Sequence, residues 1–141
     1  MKIDFFSKDG YTDKRILDGG IYTVDLVEEN SNKVIHLYVG EAACIANRCG
    51  KHLMGFSKNS EYFGIKKQYL KNDNLILRFN VYCHMKKKVG RYDKDYIEKE
   101  NEVIHKLKPK TQNADTQNDN MISNPKKTKI VDDEMKKMGF I

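Results

Sequence analysis

Tyr22 and Tyr38 each stand close to a glycine, in Gly20-Ile21-Tyr22 and Tyr38-Val39-Gly40, on two short strand-like runs. Arg48 and His52 follow eight and twelve residues after Gly40, and Glu100 sits far downstream in an apolar helical stripe. Two phenols, a guanidinium, an imidazole and a carboxylate are the parts of a metal-dependent site that cleaves phosphodiesters. A phenol beside a metal or a basic group can give up or relay a proton from water. A guanidinium fork holds phosphate and offsets the charge that builds up in a phosphoryl transition state. An imidazole one helical turn past the arginine can orient or deprotonate a phenol or a water. Taken singly, these are two ordinary strand tyrosines, a surface arginine and a solvated histidine. Only in company do they describe a site.

Glu100 is the sharpest anomaly. At about 100° per residue it falls at the centre of the stripe formed by Tyr96, Ile97, Val103, Ile104 and Leu107, with Glu98 and Glu102 on the opposite side. A carboxylate so placed is buried or borders a cavity, which is costly unless a cation or several donors meet it. Either an arginine or lysine from elsewhere pairs with it, or it is a ligand for a hard divalent ion such as Mg²⁺. Such an ion accepts one protein carboxylate together with waters and phosphate oxygens. A competing set, Cys49, His52, Cys83 and His84, offers zinc-type ligands. Adjacent Cys83 and His84, however, point to opposite faces of a strand. The chain has no G-x-x-x-x-G-K-[ST] loop, no G-x-G-x-x-G between a strand and a helix, and no G-x-S-x-G nucleophile motif.

A hairpin and two helices are needed to position these groups. Residues 21–28 and 33–40 alternate in the β manner, with turn chemistry in Glu29-Asn30-Ser31-Asn32. The hairpin brings Tyr22 and Tyr38 nearly opposite each other, within about a residue of register. Ala42, Ile45, Ala46, Cys49 and Leu53 follow helical spacing, which puts Arg48 and His52 together on one edge of that helix, away from the main stripe. A second helix is expected over residues 60–70. Residues 75–84 then form a β-rich run with Leu75, Leu77, Phe79, Val81 and Cys83 on one face. The last long helix runs over residues 93–107 and stops before Lys108-Pro109. Residues 1–18 read as a leader with little regular structure, and 114–141 as a polar tail with a short docked helix near 132–138.

The bulk numbers fit one domain with a real core: 141 residues, 39% apolar and 33% charged. No apolar run approaches the roughly 18 residues of a membrane span, and Met1-Lys2-Ile3-Asp4-Phe5-Phe6 lacks a signal-peptide core, so a cytoplasmic protein is expected. Three cysteines without framework spacing (Cys44, Cys49, Cys83) read as reduced thiols. The net charge of +6 permits a polyanionic partner without requiring one. Its distribution favours nucleic acid. Lys66-Lys67, Lys86-Lys87-Lys88 with Arg91, and Lys126-Lys127 with Lys129 form three basic clusters, and Tyr62, Phe63, Tyr69 and Tyr92 lie near the first two.

With these residues laid out, the chain resembles the GIY-YIG nuclease superfamily. Gly20-Ile21-Tyr22 is similar to its first signature and Tyr38-Val39-Gly40 to its second, with valine for isoleucine. Arg48 and His52 fall where the family places its arginine and its histidine or tyrosine. Glu100-Asn101-Glu102-Val103-Ile104 and Lys108-Pro109 resemble its E-x-x-L-I segment and the K-P that ends it. The family's later asparagine would be Asn113, one residue late, or be replaced by Gln112.

The resemblance spans residues 19–113. It implies an α+β domain built on a small sheet of three antiparallel strands flanked by helices. It also implies a DNA endonuclease that hydrolyses phosphodiesters with an activated water and one Mg²⁺ or Mn²⁺ held by Glu100. In that scheme Tyr22 is the general base or its relay, and Tyr38 supports the water and phosphate geometry. Arg48 stabilises the phosphorane, and His52 positions or deprotonates Tyr22. Lys66, Lys67, Lys86, Lys87, Lys88 and Arg91 are the candidate contacts to double- or single-stranded DNA. One such site cuts one strand, so a homodimer would suit a double-strand cutter. Glu41 departs from the pattern, being an anion directly after the second signature. If it points inward it must share the metal or weaken substrate binding, which leaves a poorly cutting nucleic-acid-binding module as the alternative.

Overall fold

Alternating side chains from Gly20 to Ala42 fold as expected into a long hairpin, β2 (Gly20–Glu28) and β3 (Lys33–Ala42), in the computed structural model. The structure describes residues 1–7, 14–112 and 124–141. Asn32, with φ 56°, turns the hairpin, and the Glu28 carboxylate accepts from the Ser31 N–H at 2.7 Å. Tyr22 pairs with Gly40 and Val24 with Tyr38, followed by a bulge between Val24 and Asp25. β4 (Leu75–His84) lies antiparallel on the other side of β2, which makes β2 a central strand.

The sheet has a fourth member, and three antiparallel strands must be corrected to four mixed ones. Lys2–Phe5 is not leader but strand β1, paired in parallel with β4, giving the order β1-β4-β2-β3. Phe6, which follows it, is fully buried against Phe79 despite a left-handed φ of 63°. That conformation is rare for a bulky residue, and burial of the ring is what offsets it. Lys14–Leu17 forms a single 3-10 turn.

One sheet face is buried under two helices. Val24, Leu26, Leu77 and Phe79 pack there against Ile45, Cys49 and Phe56 of α1 (Ile45–Lys58) and Val131 and Met135 of α3 (Asn124–Lys137). The short helix expected near 132–138 is therefore a longer one that starts at Asn124 and completes the core. Asp132 fixes it from the side, accepting from Tyr69 at 2.5 Å, Lys66 at 3.1 Å and Lys136 at 3.0 Å. Those donors, the Tyr69 hydroxyl foremost, hold its carboxyl down to about 2. The helix expected over 60–70 is instead two 3-10 turns, Ser60–Phe63 and Lys67–Lys71. Gly64 breaks it with φ 77°, and a side chain there would run into Val131 and the Lys127 carbonyl of α3.

The other face is covered at one end only. α2 (Lys94–Leu107), capped by Asp93 and closed by Lys108 in the left-handed region, lays Val103 on Ile21 and Val39. Residues 110–112 then run along the β3 edge, where Lys110 and Thr111 donate to the His36 and Leu37 carbonyls at 2.9 and 2.8 Å. Beyond α2 the face carries a row of alternating charge. Asp4, Arg78, Asp25 and His36 stand side by side across all four strands. Arg78 donates to Asp4 at 2.9 Å and His36 to Asp25 at 2.8 Å. Among the described residues no helix is long and apolar enough to cross a membrane.

Two outcomes follow. Phe6→Ala, which strips the ring from β1's anchor, should lower unfolding free energy by about 3 kcal/mol or more in urea titrations. The hydrogen bond to Asp25 raises the His36 pKa above its ordinary value. A raised folded pKa contributes stability below the unfolded value, and that contribution is lost as pH rises through the folded value. Between about pH 5.5 and pH 8 the urea midpoint should therefore carry a downward component, under about 1 kcal/mol because the imidazole is partly solvated. His36→Gln should remove it.

Candidate functional site

The two signature glycines make room for the chemistry. At Gly20 a β-carbon would overlap the Cys83 carbonyl, so only glycine lets β4 approach β2 there. At Gly40 it would overlap the Tyr22 phenol, whose ring crosses the glycine on the neighbouring strand. Tyr22 and Tyr38 are both buried, their ring centres 6.2 Å apart.

α1 brings His52 onto them. Its Nε2 lies 2.8 Å from the Tyr22 hydroxyl, and its ring centre is 5.1 Å from that of Tyr38. The sequence places His52 with Arg48 on one edge of the helix, away from the main stripe. The two remain one turn apart on α1 but differ in burial: Arg48 is exposed, whereas His52 is 6% exposed and lies on the buried stripe with Ile45, Cys49 and Phe56. That stripe is rotated by one position from the one through Leu53, because a ring with polar partners on both sides packs inward as readily as leucine.

The second partner is Tyr62, whose hydroxyl is 2.7 Å from His52 Nδ1. In the sequence this tyrosine stands out only as an aromatic near a basic cluster. Its spacing from His52, across a helix end and a 3-10 turn, carries no periodic signal.

Glu100 is 2% exposed and shares the inner stripe of α2 with Tyr96 and Val103, while Glu98 and Glu102 are exposed. α2 packs on the sheet face of Ile21 and Val39, opposite the face on which α1 brings His52 to Tyr22 and Tyr38. One buried carboxylate suits a hard divalent ion that keeps most of its ligands as water and phosphate oxygen. The zinc-type alternative does not assemble: among the described residues no three His, Cys, Asp or Glu side chains converge. His52 instead meets phenols at both nitrogens, and His84 lies 3.4 Å from Asp18.

Glu41 is answered by Lys88. The ammonium straddles the carboxylate at 2.8 Å from Oε1 and 2.7 Å from Oε2, and it also lies 5.6 Å from the Tyr96 ring centre. Lys88, 11% exposed at its side chain, is thereby withdrawn from the basic surface. Lys66 is paired with Asp132, and Lys86 with Asp95 at 3.3 Å. Lys67, Lys86, Lys87 and Arg91 are exposed, with the Arg91 guanidinium 5.6 Å from the Tyr92 ring centre. A cavity of about 390 Å³ beside Gly19 is lined in part by Ala43, His84, Lys86 and Lys87. Gln112 is buried and accepts from the Val39 N–H at 3.0 Å, holding the edge strand between Tyr38 and Gly40. Asn113 lies outside the described residues.

No protein-family model, curated protein or solved structure matches the chain.

Gly40→Ala should push the Tyr22 phenol off His52 Nε2 and cost about 1–3 kcal/mol of stability. Imidazole ¹⁵N shifts of His52, read beside urea unfolding, would detect both effects. Unchanged shifts would mean that the phenol does not need the space over Gly40.

Proposed function

We propose that the protein is a divalent-metal-dependent DNA endonuclease of the GIY-YIG type. The observation that carries this reading is the buried Tyr22–His52 hydrogen bond of 2.8 Å, which ties the first signature to the residue one turn past Arg48. The match to the two signatures explains why a histidine, two phenols and a glycine cleared for one of them occur together.

His52 Nε2 is within reach of the Tyr22 proton, which prepares the phenol to take a proton from an attacking water. Burial strengthens each hydrogen bond in this pair. Tyr38 packs against the same imidazole and restricts where water and phosphate can sit. Arg48 is the exposed member of the set and is where a phosphate of a polymer can first be held, its fork offsetting charge at phosphorus. Glu100 would hold Mg²⁺ or Mn²⁺, which when bound supplies charge neutralisation for the reacting phosphate. The Lys88 ion pair removes the objection raised by Glu41, because an anion already matched by an ammonium neither claims the metal nor repels phosphate strongly. The exposed Lys67, Lys87 and Arg91 suit contacts to the DNA backbone.

Incubation with plasmid and with single-stranded DNA, with and without Mg²⁺, should give metal-dependent nicking or cleavage. Arg48→Ala should slow it by about 100-fold or more, and Glu100→Gln should abolish the metal-dependent cleavage. Binding affinity should fall as salt rises. DNA binding without cleavage in any of these conditions would make the protein a binding module. Cleavage that survives Glu100→Gln at the wild-type rate would remove Glu100 from the site.

A further inference from the structure

His52 has a phenol at each ring nitrogen, and only one of them belongs to the signatures. Tyr62 meets Nδ1 at 2.7 Å from a 3-10 turn outside every motif. Its placement is built from several sides. The ring crosses α1 at Gly55, where a β-carbon would overlap it, so glycine is required for the crossing. Phe63 supports it edge-on with ring centres 4.9 Å apart. From α3, the Lys127 ammonium donates to the Tyr62 carbonyl at 2.8 Å and lies 5.5 Å from the ring centre. Lys127 is only 3% exposed, and loss of water pulls its pKa down. Burying an ammonium against one backbone carbonyl and one ring is costly, so the fold spends stability on holding this tyrosine where it is.

We propose that Tyr62 is the positioning residue of the Tyr22–His52 pair: its hydroxyl oxygen accepts the Nδ1 proton of His52 and so leaves the Nε2 lone pair facing Tyr22. The direction rests on the reading of Tyr22 as a base under "Proposed function". An imidazole with its proton on Nε2 would donate to the Tyr22 oxygen and could not take the phenol proton. With the proton on Nδ1, the step balances. The Tyr22 O–H bond breaks, an Nε2–H bond forms, and the Nδ1–H stays in place. The imidazolium that results donates more strongly to the Tyr62 oxygen, a charge-assisted hydrogen bond that stabilises it as the phenolate appears. Tyr62 neither gains nor loses a proton. α3 takes part through Lys127, so the C-terminal helix belongs to the machinery that sets the tautomer.

Imidazole ¹⁵N spectroscopy tests this without any substrate. The His52 signals are assigned among the four histidines with His52→Gln. The wild type should show Nδ1 protonated and Nε2 bare. Tyr62→Phe keeps the ring and its packing but removes the acceptor, and it should shift the population toward the Nε2-protonated form. An Nε2-protonated wild type, or an unchanged tautomer in Tyr62→Phe, would overturn the proposal. If the wild type cleaves DNA, Tyr62→Phe should slow it by about 10-fold or more, and an unaltered rate would also count against Tyr62. A wild type that shows the expected tautomer and its loss in Tyr62→Phe, yet cuts no DNA, would sink the endonuclease reading while the role of Tyr62 toward His52 stands.

Discussion

A buried imidazole needs a partner at each nitrogen, and meeting that need for His52 organises the heart of this protein. Tyr22 approaches from the central strand and Tyr62 from the turn after α1, at 2.8 and 2.7 Å. Each phenol reaches the ring by crossing a glycine, Gly40 on β3 and Gly55 on α1. The rotation of α1 is thereby fixed, since turning it either way would bury a polar nitrogen with no partner. α3 holds the outer phenol through Lys127, and β1 and Phe6 close the far side of the same core. Hydrogen bonds, helix rotation and two glycines are one constraint seen at different positions.

Local patterns were readable where the deciding contacts are local. Strict alternation produced the hairpin, and the helical period placed Glu100 inside while Glu98 and Glu102 stayed out. The misreadings share a cause. Lys2–Phe5 is too short to show a period, and it becomes a strand only because β4, some seventy residues later, offers an edge. α3 is polar along most of its length, and its docking rests on few apolar residues, Val131 and Met135 with Phe140 after it, together with the polar contacts of Lys127 and Asp132. Residues 60–70 have a helical composition, but the approach of α3 at Gly64 forces a left-handed break. The helical period puts His52 on an edge away from the apolar stripe; its burial depends on two phenols, and spacing gives no signal for the outer one, Tyr62.

Basic residues illustrate the same distinction for function. Clusters of lysine in the sequence suggest a charged surface, yet three of the six candidate contacts are in ion pairs, Lys66 with Asp132, Lys86 with Asp95 and Lys88 with Glu41. The pair with Glu41 shows why charge near a signature cannot be judged from the chain alone. An anion that looks misplaced in one dimension is neutralised from a loop that is distant in sequence.

The charge row across the open face acts as a registration mark for the sheet. Asp4, Arg78, Asp25 and His36 meet in alternating sign only when all four strands are aligned as they are. A slip of one residue at β1 would turn Asp4 toward the apolar face and expose Phe5, while leaving Arg78 facing solvent beside an unmatched neighbour. The short parallel strand, with four residues to hold it, thus carries its own proof of alignment. Swapping Asp4 and Arg78 would leave the row's composition unchanged but place two acids side by side, so that order, and not charge content, is what the sheet records.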